Sequence, residues 1–380
     1  MADHPFWNSM RRKMIGRPAK IDLKYLLISA LVLFAGIAGC LITSGIEQSE
    51  YQQMQLDAAM SMKNAETVLK KEILAKGIEI EGEDLNSTGL IGPEFTELTS
   101  TPGSVDAKRT TLNPNFAAAI IRYFHEAGLK KGDAVAIGTS GSFPGFVIAT
   151  TIAAKEMGLK AKVIASCGSS MHGATRPEFN IFDILFSLKD NGFADFDLLA
   201  VSAGGPNDQG GGVMEGFLYE DTAGLSKQLC IEASQKSGAE FIYYDSLQDS
   251  IMRRLALFGD DVKLFVNVGG AAPNEGISSY TLNFPQGLVI KAPPIPNIIN
   301  RGLCYEYAAQ GIPVLNLLNV KLLAAQNGIA YDAVPQEEPG NGKVYSSFEY
   351  NVPIIMTTIA LCILVLIFGV FRKKARNEGE

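Results

Sequence analysis

Most of the residues that could do chemistry in this chain lie in four loops rich in glycine, serine and asparagine. The first reads Gly138-Thr139-Ser140-Gly141-Ser142 and follows a short apolar run, Ala134 to Ile137. It is one residue short of a Gly-x-Ser-x-Gly nucleophile elbow, because Ser142 replaces the final glycine. In such an elbow Ser140 would occupy the strand-to-helix turn, with the next helix N-terminus stabilising an oxyanion. A base must then take the serine proton. Between the apolar ends of the chain only His125 and His172 offer one. His125 falls near the C-terminus of a helical stretch, where capping or solvent exposure is its ordinary use. His172 lies in a later loop and is the better base, with Asp208 or Asp183 to orient it.

Each of these residues also has a plainer use. Ser140 and Ser142 can cap the following helix and hydrogen-bond a ligand, in company with Thr139, Ser169, Ser170, Asn207 and Asn267. Cys167, five residues before His172, is a second nucleophile candidate, although a small buried cysteine at a strand end is commoner. Arg109 and Arg176 have the planar donor fork that suits a carboxylate or phosphate; solvated loop charge is the bland alternative for both, as for Glu178. No Cys-x-x-Cys or paired Cys/His spacing suggests a metal, and no cofactor is expected.

The elements that must position these loops alternate. Candidate strands are 133–137, 162–166, 197–202, 240–244 and 262–268, with a weaker one at 287–291 and a last at 312–317. Helical spacing fills most gaps, over 143–157, 181–190, 222–237, 246–258, 301–310 and 319–327. Alternation on this scale predicts an α/β fold: a Rossmann-like, mainly parallel sheet with helices on both faces. Ligands in such sheets sit beyond the carboxyl ends of the strands. There the chain places Gly138–Ser142, Ser166–Gly173, Ser202–Asp208 and Asn267–Glu275.

Upstream, Met54, Ala58, Met62, Ala65, Leu69 and Ile73 define an amphipathic helix closed by Gly77. Packing on its own domain is the simpler fate for it than packing on a partner. Residues 44–112 thus hold this helix and a polar connection. Asn113-Pro114 opens the next helix, with Asn113 as cap, and the α/β domain is expected over 113–334. Residues 335–351, beginning Pro-Gln-Glu-Glu-Pro-Gly-Asn-Gly, read as a linker.

Residues 25–43 and 352–371 carry no charge, and each is long enough for a helix that crosses a bilayer. Basic residues flank both on the chain-terminal side: Arg11, Arg12, Lys13, Arg17, Lys20 and Lys24, then Arg372, Lys373, Lys374 and Arg376. The positive-inside rule therefore puts residues 1–24 and 372–380 in the cytoplasm and 44–351 outside it, in a two-pass membrane protein. Ile37-Ala38-Gly39-Cys40 also has the form of a lipoprotein cleavage site, although the basic lead is long for one. The whole chain carries −7, and the two tails together carry +6, leaving −13 for the external part. So acidic a domain repels nucleic acid, which is not an expected partner. Of five cysteines, Cys167, Cys230 and Cys304 are external, so at least one thiol stays free whatever pairs.

The loop-then-helix arrangement also looks like the sugar-phosphate-binding isomerase domains, but phosphosugars are chiefly cytoplasmic. Four stretches carry a fuller resemblance: Ala107–Ala118 (AKRTTLNPNFAA), Ala136–Gly145 (AIGTSGSFPG), Ser166–Thr175 (SCGSSMHGAT) and Ser202–Gly212 (SAGGPNDQGGG). In these the chain resembles the bacterial poly-gamma-glutamate system proteins, over nearly its whole length. The resemblance implies a membrane-anchored component acting beside the subunits that make and export poly-γ-glutamate. Such a component belongs to the bacterial cytoplasmic membrane. An acidic external domain is a poor bulk binder of a polyanion, which leaves either passage without adhesion or contact confined to a few bases such as Lys108, Arg109 and Arg176. No Gly-x-x-x-x-Gly-Lys-[Ser/Thr] loop is present, so ATP-driven amide formation is not the expected task. The alternative is a serine hydrolase or amide-bond transferase acting on the polymer or cell envelope through Ser140 and His172.

Overall fold

The structure, a computed structural model, describes residues 21–377; the basic residues up to Lys20 lie outside the described part. In chain order the first elements are α1 (Leu23–Thr43), β1 (Gly45–Gln48), α2 (Gln52–Ala75), β2 (Thr99–Thr101), α3 (Val105–Thr111) and α4 (Asn115–Glu126). Next come β3 (Ala134–Ser140), α5 (Pro144–Glu156), β4 (Lys160–Ser166), β5 (Ser169–Ser170), β6 (Thr175–Arg176), β7 (Phe179–Asn180) and α6 (Ile181–Asp190). They are followed by β8 (Phe196–Ser202), α7 (Thr222–Ser237), β9 (Glu240–Ile242), α8 (Leu247–Phe258), β10 (Val262–Val268) and α9 (Ala272–Glu275). The last are β11 (Gly287–Val289), α10 (Gly302–Ala309), β12 (Val314–Leu317), α11 (Val320–Asn327), β13 (Ser346–Glu349) and α12 (Val352–Asn377).

These elements form two compact units, Ser49–Tyr345 and the two chain ends together. In the larger unit seven strands make one sheet, in the order β11-β12-β10-β3-β4-β8-β9. All neighbours are parallel except β11 with β12. The central strand β3 is buried along its whole length, as expected of a strand covered on both faces. Alternation sorts its side chains: Val135 and Ile137 enter the core beneath α4, α5, α6 and α11, and Ala136 enters the core beneath α8 and α10. Helix α2 lies over α4 and α5 and buries Ala58, Met62, Ala65, Leu69 and Ile73, so its apolar stripe is satisfied within the unit.

Two boundaries differ from the sequence reading. Strand β3 runs on through Gly138, Thr139 and Ser140, because all three stay in register with Ile164, Ala165 and Ser166 of β4. The turn is only Gly141-Ser142. The compact unit also takes in residues on either side of 113–334. Residues 76–104 contribute buried Leu90, Ile91 and Leu98, and Val344 and Tyr345 of the expected linker are buried. Gln336 Nε2 donates to Leu112 O (3.0 Å) and Asn113 Nδ2 to Glu337 Oε2 (2.9 Å), tying that segment down.

In the smaller unit β1 and β13 pair antiparallel, and α1 and α12 are each long and apolar enough to cross a membrane. They lie against each other in opposite senses. Tyr25 meets Phe368 edge-on with ring centroids 6.2 Å apart, and Cys362 Sγ lies 3.6 Å from Ser29 O. Gly36 sits so close to Thr358 that a Cβ would collide with it. Small residues that admit a close helix approach are the usual glue where lipid removes the hydrophobic drive.

Candidate functional site

The chain runs from β3 outward through β4, β8 and β9, then returns to lay β10 on the other side of β3. The switch in strand order between β3 and β10 is the place where open α/β sheets of this kind form a ligand crevice. Two glycines there are packed closely by polar side chains. A Cβ on Gly269 would stand 2.8 Å from Ser140 Oγ and 3.3 Å from Ser142 Cβ. A Cβ on Gly138 would stand 2.5 Å from Asn274 Oδ1. The glycines let the two serines and Asn274 approach the backbone closely.

Around these glycines buried polar atoms lack partners. Asn267 Nδ2 donates to Asn316 Oδ1 (2.9 Å) and Glu275 Oε1 (3.3 Å), but Asn267 Oδ1 accepts nothing among the described residues. Asn274 is fully buried, and neither polar atom of its amide has a partner among them. A buried orphan costs on the order of 1–3 kcal/mol, so three such atoms together make this the strongest candidate site among the strand-end loops. Beside them burial pushes the Glu275 carboxyl up to about 7, against the opposing hydrogen bond from Asn267. At neutral pH it is a donor as well as an acceptor.

Ser142 joins this crevice to a second cluster. Helix α3 carries Lys108, which is 1% exposed. Its Nζ donates to Ser142 O (2.5 Å) and is hydrogen-bonded to Ser170 Oγ, and it lies 4.0 Å from the Phe143 ring centroid. No carboxylate pairs with it among the described residues, and burial lowers its amine to about 7. Ser170 N–H in turn donates to Ser142 Oγ (3.1 Å), while Ser169 Oγ donates to Ser170 O (2.9 Å).

The histidine and its carboxylates do not assemble as the elbow reading requires. His172 is partly exposed in the loop after β5, at φ +62°, and its backbone bonds to Gly92 and Pro93. Among the described residues no hydrogen bond joins it to Ser140 or to Asp208. Asp208 is buried on Arg254: Nη2 donates to Oδ2 (2.9 Å), while Ser250 Oγ also donates to Oδ2 (2.6 Å) and Ser202 Oγ to Oδ1 (2.7 Å). Asp183 closes the capping box of α6, accepting from Asn180 N (3.0 Å). Both carboxylates considered for orienting His172 are thus spent elsewhere. His125 stacks on Tyr51 with centroids 4.2 Å apart, and burial lowers its imidazole.

The two arginines are also not open to an anion from outside. Arg109 grips Asp332 with Nε (2.7 Å) and Nη2 (2.8 Å) and donates to Glu83 O, and the Asp332 hydrogen bond raises its guanidinium further. Arg176 donates to Gly89 O, Ile91 O and Glu81, and burial lowers it. Each closes the 76–104 segment onto the domain. Thr139 is buried and Asn207 exposed, at φ +52°. Cys167, Cys230 and Cys304 are all free and buried; burial first, and then Cys167, holds the Cys230 thiol well above its ordinary range.

The residues that sequence reasoning missed are Lys108 as a buried amine, Asn274, Glu275 and Arg254. The loop Asn267–Glu275 was visible in the sequence as a strand-end loop, but its orphan amide was not. Among family models and curated proteins, none matches this chain.

Proposed function

We propose that this is a two-pass membrane protein whose Rossmann-like domain works outside the cytoplasm in poly-γ-glutamate synthesis or export. It holds a segment of γ-linked glutamate by its amide and carboxyl groups in the crevice between β3 and β10. The observation that carries this reading is Asn274, a fully buried amide with no partner among the described residues, packed on Gly138 at the switch point between β3 and β10. An amide ligand offers what Asn274 and Asn267 Oδ1 lack, and a protonated Glu275 can donate to a carboxylate. The charge of −13 outside the spans and tails favours a contact confined to one crevice over adhesion along a polyanion. Other membrane subunits of the synthesis system are the partners this role calls for. The hydrolase alternative through Ser140 and His172 draws on the same loops, but Asp208 is held by Arg254.

Calorimetric titration of the detergent-solubilised full chain with γ-linked glutamate oligomers tests the reading. Saturable binding should weaken at least tenfold in Asn274→Ala and be absent for α-linked oligomers of equal length. Equal affinity in wild type and Asn274→Ala, or no binding by a folded wild type, overturns it.

A further inference from the structure

The Lys108 cluster does not need the polymer reading, and it has the composition of a reaction centre. An ammonium buried without a counter-ion is expensive, and proteins ordinarily pair it or leave it out. Here it is instead placed on a serine hydroxyl. From its contacts we infer that Lys108 and Ser170 are a base–nucleophile pair that transfers the acyl group of a carboxylic amide or ester. Ser142 holds the pair together, its carbonyl accepting from Lys108 Nζ and its hydroxyl oxygen accepting from Ser170 N–H. The Ser142 hydroxyl hydrogen is not used in these contacts, and it is free to donate to a developing oxyanion. Ser170 is 7% exposed and Ser142 8%, so only a little of either residue meets solvent. Gly103 packs directly on Ser170, where a Cβ would stand 3.1 Å from Ser170 Oγ, so bare backbone is what covers the serine there.

The chemistry balances with water or an amine as second substrate. Neutral Lys108 takes the Ser170 hydroxyl proton as Oγ bonds to the acyl carbon. The tetrahedral adduct then expels an amine or alcohol, which leaves carrying that proton from Lys108. The resulting Ser170 ester is cleared by water, or by an acceptor amine, whose proton passes through Lys108 in the same way. An amine that falls to about 7 is neutral in half the molecules at physiological pH, which an ordinary lysine is not. Charged or titratable groups on its own helix and on the segments that meet it include Asp106 and Arg109 on α3, His172 two residues after Ser170, and Lys321 on α11. Arg109 is held by Asp332, Lys321 is exposed, and none of the four is bonded to Lys108.

The test is labelling of the detergent-solubilised full chain by a fluorophosphonate between pH 5.5 and 9, with the modified peptide identified by mass spectrometry. An adduct is expected on Ser170, its rate rising with pH about a midpoint near 7. It should vanish in Ser170→Ala, persist in Ser140→Ala and persist in Asn274→Ala, which separates this site from the polymer crevice. Folded wild type with no Ser170 adduct, an adduct on Ser140 instead, or a rate flat across this range overturns the inference. Because the pH profile is read on the wild type, it stands even if Lys108 variants fail to fold.

Discussion

Arg254 Nη2 lies 2.9 Å from Asp208 Oδ2, and both side chains are shut away from water, at 0% and 2% exposure. The pair sits at the ends of β4 and β8, where Ser166 and Ser202 face each other in register and their hydroxyls lie 2.9 Å apart. The carboxylate is therefore part of the scaffold that fixes the strand-end loops. Removing one partner leaves the other charged and buried. Asp208→Asn and Arg254→Met should each cost about 3–5 kcal/mol in denaturant unfolding of the larger unit's signal. A variant of wild-type stability at either position would contradict this role.

Glu275 should make the protein less stable as pH rises. Its folded value of about 7 lies above the ordinary 4.5, so below 4.5 both folded and unfolded states hold the proton. Between 4.5 and 7 the unfolded state ionises first and stability falls, by up to about 3 kcal/mol. Above 7 the deficit is constant. Glu275→Gln keeps an acceptor for Asn267 without the charge. It should match wild type at pH 4 and exceed it at pH 8, in melting curves of the full chain. A variant with the same pH dependence as wild type would assign the effect to another group.

Arg109→Lys tests whether the arginine serves the fold or a ligand. A lysine cannot reproduce the two-pronged contact with Asp332 and the bond to Glu83 O. The expected loss is about 1–3 kcal/mol of stability, with the affinity for γ-linked oligomers unchanged in titration. Loss of affinity at unchanged stability would return Arg109 to the ligand site.

Gly36→Leu should separate the two apolar helices, because any side chain there meets Thr358. Cys362 Sγ lies 3.6 Å from Ser29 O, so Ser29→Cys supplies a cross-linking partner for it. Oxidation should join Ser29→Cys to Cys362 in the otherwise native chain and fail once Gly36→Leu is added. Equal cross-linking in both would show that the helices meet elsewhere.

The local pattern of residues determined much of this protein. Period-two and period-3.6 spacing placed the seven strands of the sheet within a few residues, since β10 was expected at 262–268 and runs Val262–Val268. The uncharged stretches at both ends marked the two apolar helices. The strand-end loops followed from alternation alone, because glycine and serine collect where a parallel strand turns into a helix. What local pattern could not determine is which polar group meets which. Arg109 and its Asp332 are 223 residues apart, Lys108 and Ser170 62, and Asp208 and Arg254 46. Nothing near Lys108 in the chain marks it as buried, since its neighbours Asp106 and Arg109 are charged. Its burial, and with it the shift of its amine toward neutrality, arises only when α3, the turn after β3 and the loop holding Ser170 are brought together. Periodicity is written residue by residue along the chain, whereas desolvation and ion pairing depend on distances that only the tertiary fold sets.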